Sequence, residues 1–161
     1  MQTLKEFLSA RAAVERGRAD EKKALQTEWI GSVRRLVQQV TEWLSDADQE
    51  KVLRVKEDYQ EVREIELGVY TVPRLLIQLQ AQEVRLTPVA RMVVGPHLSN
   101  GIIHVKRAFG RVDLTSGERR FLLFRSQKEP EDVWAIVEDE GFTVKRFDRE
   151  SFDEAMQSLL Q

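Results

Sequence analysis

The chain has no cysteine. That absence excludes disulfides, thiol nucleophiles, thiolate zinc sites and cysteine-ligated iron–sulfur clusters together, and it fits residence in a reducing cytoplasm. No apolar run approaches the roughly 20 residues a membrane helix needs, so no membrane partner is expected. The first residues, MQTLKEFLSARAAVERGRADEKK, lack an apolar core followed by a small-residue cleavage site, so a secretory signal is not expected either.

Catalytic signatures are equally scarce. The only histidines are His97 and His104, and neither has a carboxylate at metal-ligand spacing. There is no G-x-S-x-G stretch, so no serine is offered on a nucleophile elbow. The eight glycines are scattered, and none opens a helix after a strand. Phosphate cradles of the P-loop or Rossmann type are therefore not expected. The expectation is a non-catalytic protein with no cofactor and no metal.

What is present is a soluble composition: 161 residues, 42% apolar and 32% charged. A chain of this length buries roughly two-thirds of its unfolded surface, enough for one core without a staple. The net charge of −2 conceals strong segregation, with residues 69–126 holding nine basic and three acidic side chains and residues 127–161 holding four and ten.

Periodicity gives the architecture. Trp29, Val33, Leu36, Val40 and Trp43 recur at helical spacing, with Ile30, Val37 and Leu44 beside them, a wide apolar face. Leu4, Phe7 and Leu8 make a second, short stripe, and the polar stretch from Glu15 to Glu28 between them is a place for a kink or a break. Residues 47–67 fit both periods; their β-branched content and the stop at Gly68 favour strands.

From residue 69 onward the pattern is β. "VYTVPRLLIQLQ" reads as a strand with Pro73 at an edge or bulge, and "EVRLTPVARMVVG" as another, interrupted by Pro88. "GPHLSNG" reads as a loop, "GIIHVKRAFGRVDL" as one long strand bent at Gly110, and "RRFLLFRS" as its return after the turn "TSGE". "DVWAIVEDEGFTVKRF" reads as a hairpin turning at Asp139–Gly141. Ser151 and Glu154 then suggest a capping box, and Phe152, Ala155, Met156, Leu159 and Leu160 an amphipathic face. The expected fold is α+β: an N-terminal helix, an antiparallel meander of six to eight strands, and a C-terminal helix packed on the sheet. Residues 1–46 are the helical arm and residues 47–161 the sheet with its helix, together one domain.

The functional leads are electrostatic. Arg85, Arg91, Lys106, Arg107, Arg111, Arg119, Arg120 and Arg125 come from neighbouring strands and would present a basic sheet if they shared a face. In the strand through Arg111, alternation puts Phe109, Arg111, Asp113 and Thr115 on one face and Ala108, Gly110, Val112 and Leu114 on the other. Arg111 and Asp113 are then about 7 Å apart along the strand, so contact requires favourable rotamers.

The leading expectation is a cytoplasmic protein-binding module, an accessory or regulatory subunit or an immunity-type inhibitor. It would act through Arg85, Arg91, Arg107, Arg111, Asp113, Arg119 and Arg120 or through the N-terminal helix, with another protein as heteromeric or homodimeric partner. Nucleic acid is the alternative partner, with the arginines meeting phosphates and Phe109, Phe121 or Phe124 stacking on bases. The acidic pI of about 5.8 weighs against it. The acidic C-terminal block is a ready internal counterweight to the basic sheet. A third expectation is a metal-dependent hydrolase, with Asp113 and Glu118, or Glu138 facing Lys145 across its hairpin, around a divalent ion.

Overall fold

Thr3 begins the first helix. Its side chain accepts from the Glu6 amide while the Glu6 carboxylate accepts from the Thr3 amide, a reciprocal cap. From there α1 runs uninterrupted over Leu4–Ala47, so the polar middle neither breaks nor divides it. A computed structural model of the chain describes residues 1–99, 102–139 and 143–161, with backbone alone for residues 96–99 and 102–106.

Strands β1 (Arg54–Glu64), β2 (Gly68–Leu79) and β3 (Gln82–Ala90) follow as antiparallel hairpins. The preference for strand in residues 47–67 is borne out by β1. Two further strands, β4 (Val93–Ser99) and β5 (Ile102–Ala108), pair with each other in a second, two-stranded sheet. The chain then returns through β6 (Arg111–Ser116), β7 (Arg119–Gln127), β8 (Val133–Glu138) and β9 (Val144–Arg146), and ends in α2 (Arg149–Leu159). The large sheet has the order β1-β2-β3-β6-β7-β8-β9 and is antiparallel throughout. The α+β class and the helix–sheet–helix order stand.

One face of this sheet carries the core. Leu75 faces Leu86, Leu86 faces Leu114, Val112 faces Leu123, and Leu123 faces Ile136. All are buried. Trp29, Val33, Leu36, Val37, Val40 and Leu44 of α1 join the same cluster, with Phe152, Ala155, Met156 and Leu159 of α2. Fully burying each large apolar side chain contributes about 1.5–3 kcal/mol, so this seam anchors the second half of α1. Trp43, Phe147 and Phe152 form an aromatic triad where the two helices meet the sheet's far edge.

Several local expectations need correction. The single long strand through Gly110 is two strands in different sheets. At Gly110 φ is +146°, a conformation L side chains rarely adopt, and the Trp29 ring lies where a side chain would go. There the chain leaves the small sheet and enters the large one, with Arg125 N donating to Gly110 O at 2.9 Å. The same excursion makes "EVRLTPVARMVVG" two strands, β3 and β4. Pro88 lies inside β3, where the register to β6 shifts before Ala90. The stretch "GPHLSNG" is not a free loop, because β4 continues to Ser99. Gly95 of β4 sits so close over the Phe124 ring that a side chain would overlap it, which ties the small sheet to the outer face of β7.

Pro73 lies within β2 rather than at its start, just before Leu75, where pairing with β3 begins. Among the described residues β2 has no strand partner on the β3 side at Pro73, and a proline is tolerated where a strand has such an open side. The cap of α2 is Asp148, three residues before Ser151. Asp148 accepts from the Ser151 amide and Ser151 Oγ from the Asp148 amide, both at 2.9 Å, so Ser151 answers the cap instead of being it. The side chains of His97, His104 and Lys106 and the turn residues Glu140 and Gly141 lie outside the described residues.

Gly110→Ala places a methyl group 2.0 Å from the Trp29 ring at an unfavourable φ. Overpacking and backbone strain together should cost about 2–4 kcal/mol, read as a lowered urea midpoint with an unchanged m-value.

Candidate functional site

The arginines singled out by sequence do not form one open basic face. On the outer side of the sheet they alternate with carboxylates. Arg74 holds Asp58 at 2.6 and 3.0 Å. Arg85 holds Glu83. Arg111 grips Asp113 with two bonds of 2.8 Å, and Asp113, only 7% exposed, also lies 3.6 Å from Arg120. Arg120 in turn holds Asp139 at 2.8 Å. The rotamers that bring Arg111 to Asp113 are thus adopted, and the Asp113 hydrogen bond raises the guanidinium pKa. The packed side of this strand is Val112 and Leu114, as alternation required.

Arg119 reaches Ser158 on α2 and lies 3.6 Å from Glu138. Arg107 is exposed on β5, opposite Val94, in the small sheet and apart from the rest. Asp132, Glu138 and Asp139 all come from the acidic C-terminal block, and they neutralise arginines of the basic block inside the fold.

The elements proposed for metal-dependent chemistry are dispersed. In the β8–β9 register Lys145 stands opposite Ile136, not Glu138. Lys145 holds Glu154 of α2 at 2.9 Å, and both line a cavity of about 340 Å³ under α2. Among the described residues no three His, Asp or Glu side chains converge as metal ligands.

A dense electrostatic cluster lies on the inner side, where α1 crosses the sheet. Arg125 is 1% exposed. Its Nε and Nη2 bind Asp132 Oδ1 at 2.8 and 2.7 Å. Nη1 lies 2.7 Å from Glu28 Oε1, off the hydrogen-bonding direction, so that contact is chiefly Coulombic. Asp132 Oδ2 accepts from Ser32 Oγ at 2.9 Å and from Arg35 at 2.9 and 3.2 Å. Burial pushes the Asp132 carboxyl up, but the hydrogen bonds from Arg35, Arg125 and Ser32 outweigh it and hold it below the ordinary aspartate value.

Arg91, also buried, lies 3.5 Å from Glu28 Oε2 and stacks over the Phe109 ring at 5.5 Å, while Lys128 approaches that ring at 5.4 Å. The backbone where β3 passes into β4 is pinned nearby. Glu64 accepts from the Arg91 and Met92 amides at 3.0–3.1 Å and from the Tyr70 hydroxyl. Burial, then the Glu64 carboxylate, raises the Tyr70 pKa and keeps the hydroxyl a donor.

Of the expected site residues only Arg91 belongs here. Glu28, Ser32, Arg35 and Asp132 were missed. One signal was readable, since Glu28, Ser32 and Arg35 recur at i, i+4 and i+7 as a polar stripe beside the apolar face of α1. The partner, Asp132, is a hundred residues from Ser32, and nothing local marks it. Beside the cluster, α1 and the β7–β8 connection enclose an open groove of about 710 Å³, with Trp43, Trp134 and Phe147 among its lining and Lys128, Glu129 and Arg146 at its rim.

The ion cluster orients α1 on the sheet. Asp132→Asn leaves Arg125 buried with half its counter-charge and should destabilise the fold by about 2–4 kcal/mol at neutral pH. Because the folded-state pKa of Asp132 lies below its ordinary value of 3.8, its contribution is complete above that pH and fades as pH falls through the folded value. Urea titrations should therefore show the wild-type advantage over Asp132→Asn shrinking in acid. Comparison with protein-family models, curated proteins and solved structures found no match to this chain.

Proposed function

We propose that the protein is a non-catalytic protein-binding module of the cytoplasm, an accessory or regulatory subunit, and that the first half of α1 is its binding arm. One observation carries this reading. Every residue of α1 from Leu4 to Ala24 is exposed, while one face of its continuation is buried in the core. This free stretch is about 30 Å long. It leaves Leu4 71%, Leu8 54%, Val14 48% and Phe7 44% exposed.

A helix in this position gains nothing from tertiary packing, the main source of helical stability in folded proteins. Gly17 near its middle costs about 1 kcal/mol more, and the exposed Glu15–Arg18 pair at 3.4 Å returns only a few tenths. A partner groove that covers Leu4, Phe7 and Leu8 supplies the missing packing in the helix-in-groove mode. Lys5, Arg11, Arg16, Arg18, Lys22 and Lys23 outnumber Glu6, Glu15, Asp20 and Glu21 on the arm. The partner's apolar cleft is accordingly rimmed by carboxylates. The sheet arginines that would meet nucleic-acid phosphates mostly hold carboxylates of their own chain, which supports a protein partner over RNA or DNA.

The triple variant L4E/F7E/L8E tests this. Recovered from its native cell with a tag, the wild-type chain should bring down a defined partner that the variant loses, while the melting temperature moves by less than about 2 °C. Retention of that partner by the variant, or a mobility shift of RNA or DNA at low salt, would count against the arm reading.

A further inference from the structure

Strand β1 is an edge of the large sheet. It pairs with β2 through all its residues, from Arg54 to Glu64, and among the described residues its other side has no strand neighbour. A long bare edge is a template for unwanted pairing, and charged side chains are a common defence. Arg54, Lys56, Glu57, Asp58, Glu61, Arg63 and Glu64 fit that description. Their order carries more information than their number.

Suppose β1 pairs antiparallel with β1 of a second copy across a two-fold axis. Residues directly opposite must lie on the same face, so the axis must pass through a residue and not between two. Centred on Glu57, Asp58 or Glu61, the register sets that carboxylate against its own copy. Centred on Tyr59, it sets Glu57 against Glu61. Centred on Gln60, it sets no like charges opposite one another. Glu57 then faces Arg63, Lys56 faces Glu64, Asp58 faces Val62, Tyr59 faces Glu61, and Gln60, whose side-chain amide donates to Pro88 O at 2.6 Å in its own chain, lies opposite its copy on the axis. These are the registers that overlap by seven residues or more.

The exposed face makes this register usable. Glu57, Tyr59, Glu61 and Arg63 alternate along it and are all exposed, Tyr59 by 58%. Among the described residues neither Glu57 nor Arg63 has an ion-pair partner in its own chain. On the other face of β1 Glu64 is already held by Tyr70 and two backbone amides, so the Glu57–Arg63 pair, formed twice, sets the register. Just past the strand end the same register brings Ile65, 96% exposed, opposite Val55, 41% exposed. An edge that served only to stay single would need no self-complementary order.

We propose that β1 is a homodimer interface in which two copies join their sheets into one continuous antiparallel sheet, with the two-fold axis at Gln60. Main-chain hydrogen bonds supply the attraction and the charge order selects the partner. This surface is separate from the arm and does not depend on it.

The test is sedimentation equilibrium on the full chain, with circular dichroism to confirm the fold. The wild type should run as a dimer of the 18.7 kDa chain. Glu57→Arg and Arg63→Glu, each of which sets like charges opposite twice, should weaken the dimer at least about tenfold. The double variant E57R/R63E, which reverses both signs, should restore it. Gln60→Cys gives the chain its only thiol, and diamide should oxidise two such thiols to one intermolecular disulfide. A wild-type chain that stays monomeric to about 100 µM overturns the proposal. So does a dimer indifferent to both single variants, or one that E57R leaves intact and removal of residues 1–23 abolishes.

Discussion

A guanidinium buried between two elements distant in sequence governs this structure. Arg125 of β7 stands almost without solvent between Glu28 of α1 and Asp132 of the β7–β8 connection. A buried arginine is costly unless its charge and donors are met; here Asp132 takes the donors of one side and the carboxylates of Asp132 and Glu28 together meet the charge. The pairing requires α1 to cross the sheet at one place, with Ser32 and Arg35 bonded to the same carboxylate. Apolar packing alone would allow α1 to slide or rotate along the face made by Leu86, Val112 and Leu123. The ion cluster, together with the seat of Trp29 against Gly110, selects one docking. The direction in which the free half of α1 leaves the domain follows from that choice.

Charge segregation along the chain is largely cancelled in three dimensions. The basic strands β6 and β7 receive Asp132, Glu138 and Asp139 from the acidic C-terminal block, and the outer face becomes a lattice of alternating ions around the Arg111–Asp113 pair. Side chains already held in such a lattice offer little net attraction to a polyanion, and exposed pairs in it contribute little to stability. What remains free lies at the periphery. One free element is the arm, which has apolar side chains without packing. The other is the β1 edge, which among the described residues has backbone groups without a strand neighbour and has charges in an order that complements itself. They differ in physics, since the arm needs apolar cover and the edge needs main-chain hydrogen bonds, so each is suited to a different partner.

The helices were legible because their periodicity is local. Trp29, Val33, Leu36 and Val40 share a face whatever the rest of the chain does, and so do Phe152, Ala155, Met156 and Leu159. Alternation in β6 likewise assigned Val112 and Leu114 to the core correctly. The failures have a common physical origin. The small β4–β5 sheet was hidden because β5 and β6 are nearly contiguous and both read as strand; only the approach of the Trp29 ring to Gly110 divides them. The loop reading of "GPHLSNG" failed because turn-forming residues can also sit in a short strand whose glycine approaches a neighbouring ring. The α2 cap was misplaced because Asp148 and Ser151 are both good caps, and the choice rests on which one the chain reaches first as it leaves Phe147.

By itself the sequence determined the fold class, the helical faces, the strand alternation and the absence of thiols and of P-loop and nucleophile-elbow motifs, since each depends on residue type or on spacing within a few positions. Only the tertiary structure decided which charges cancel and which remain free. Arg111 and Asp113 became a mutual pair, Arg91 and Arg125 became interior, and Glu28 and Asp132 became the fold's fasteners. Coulombic pairing depends on distance in space and on exclusion of water, and neither is written in the order of residues when the partners stand a hundred positions apart.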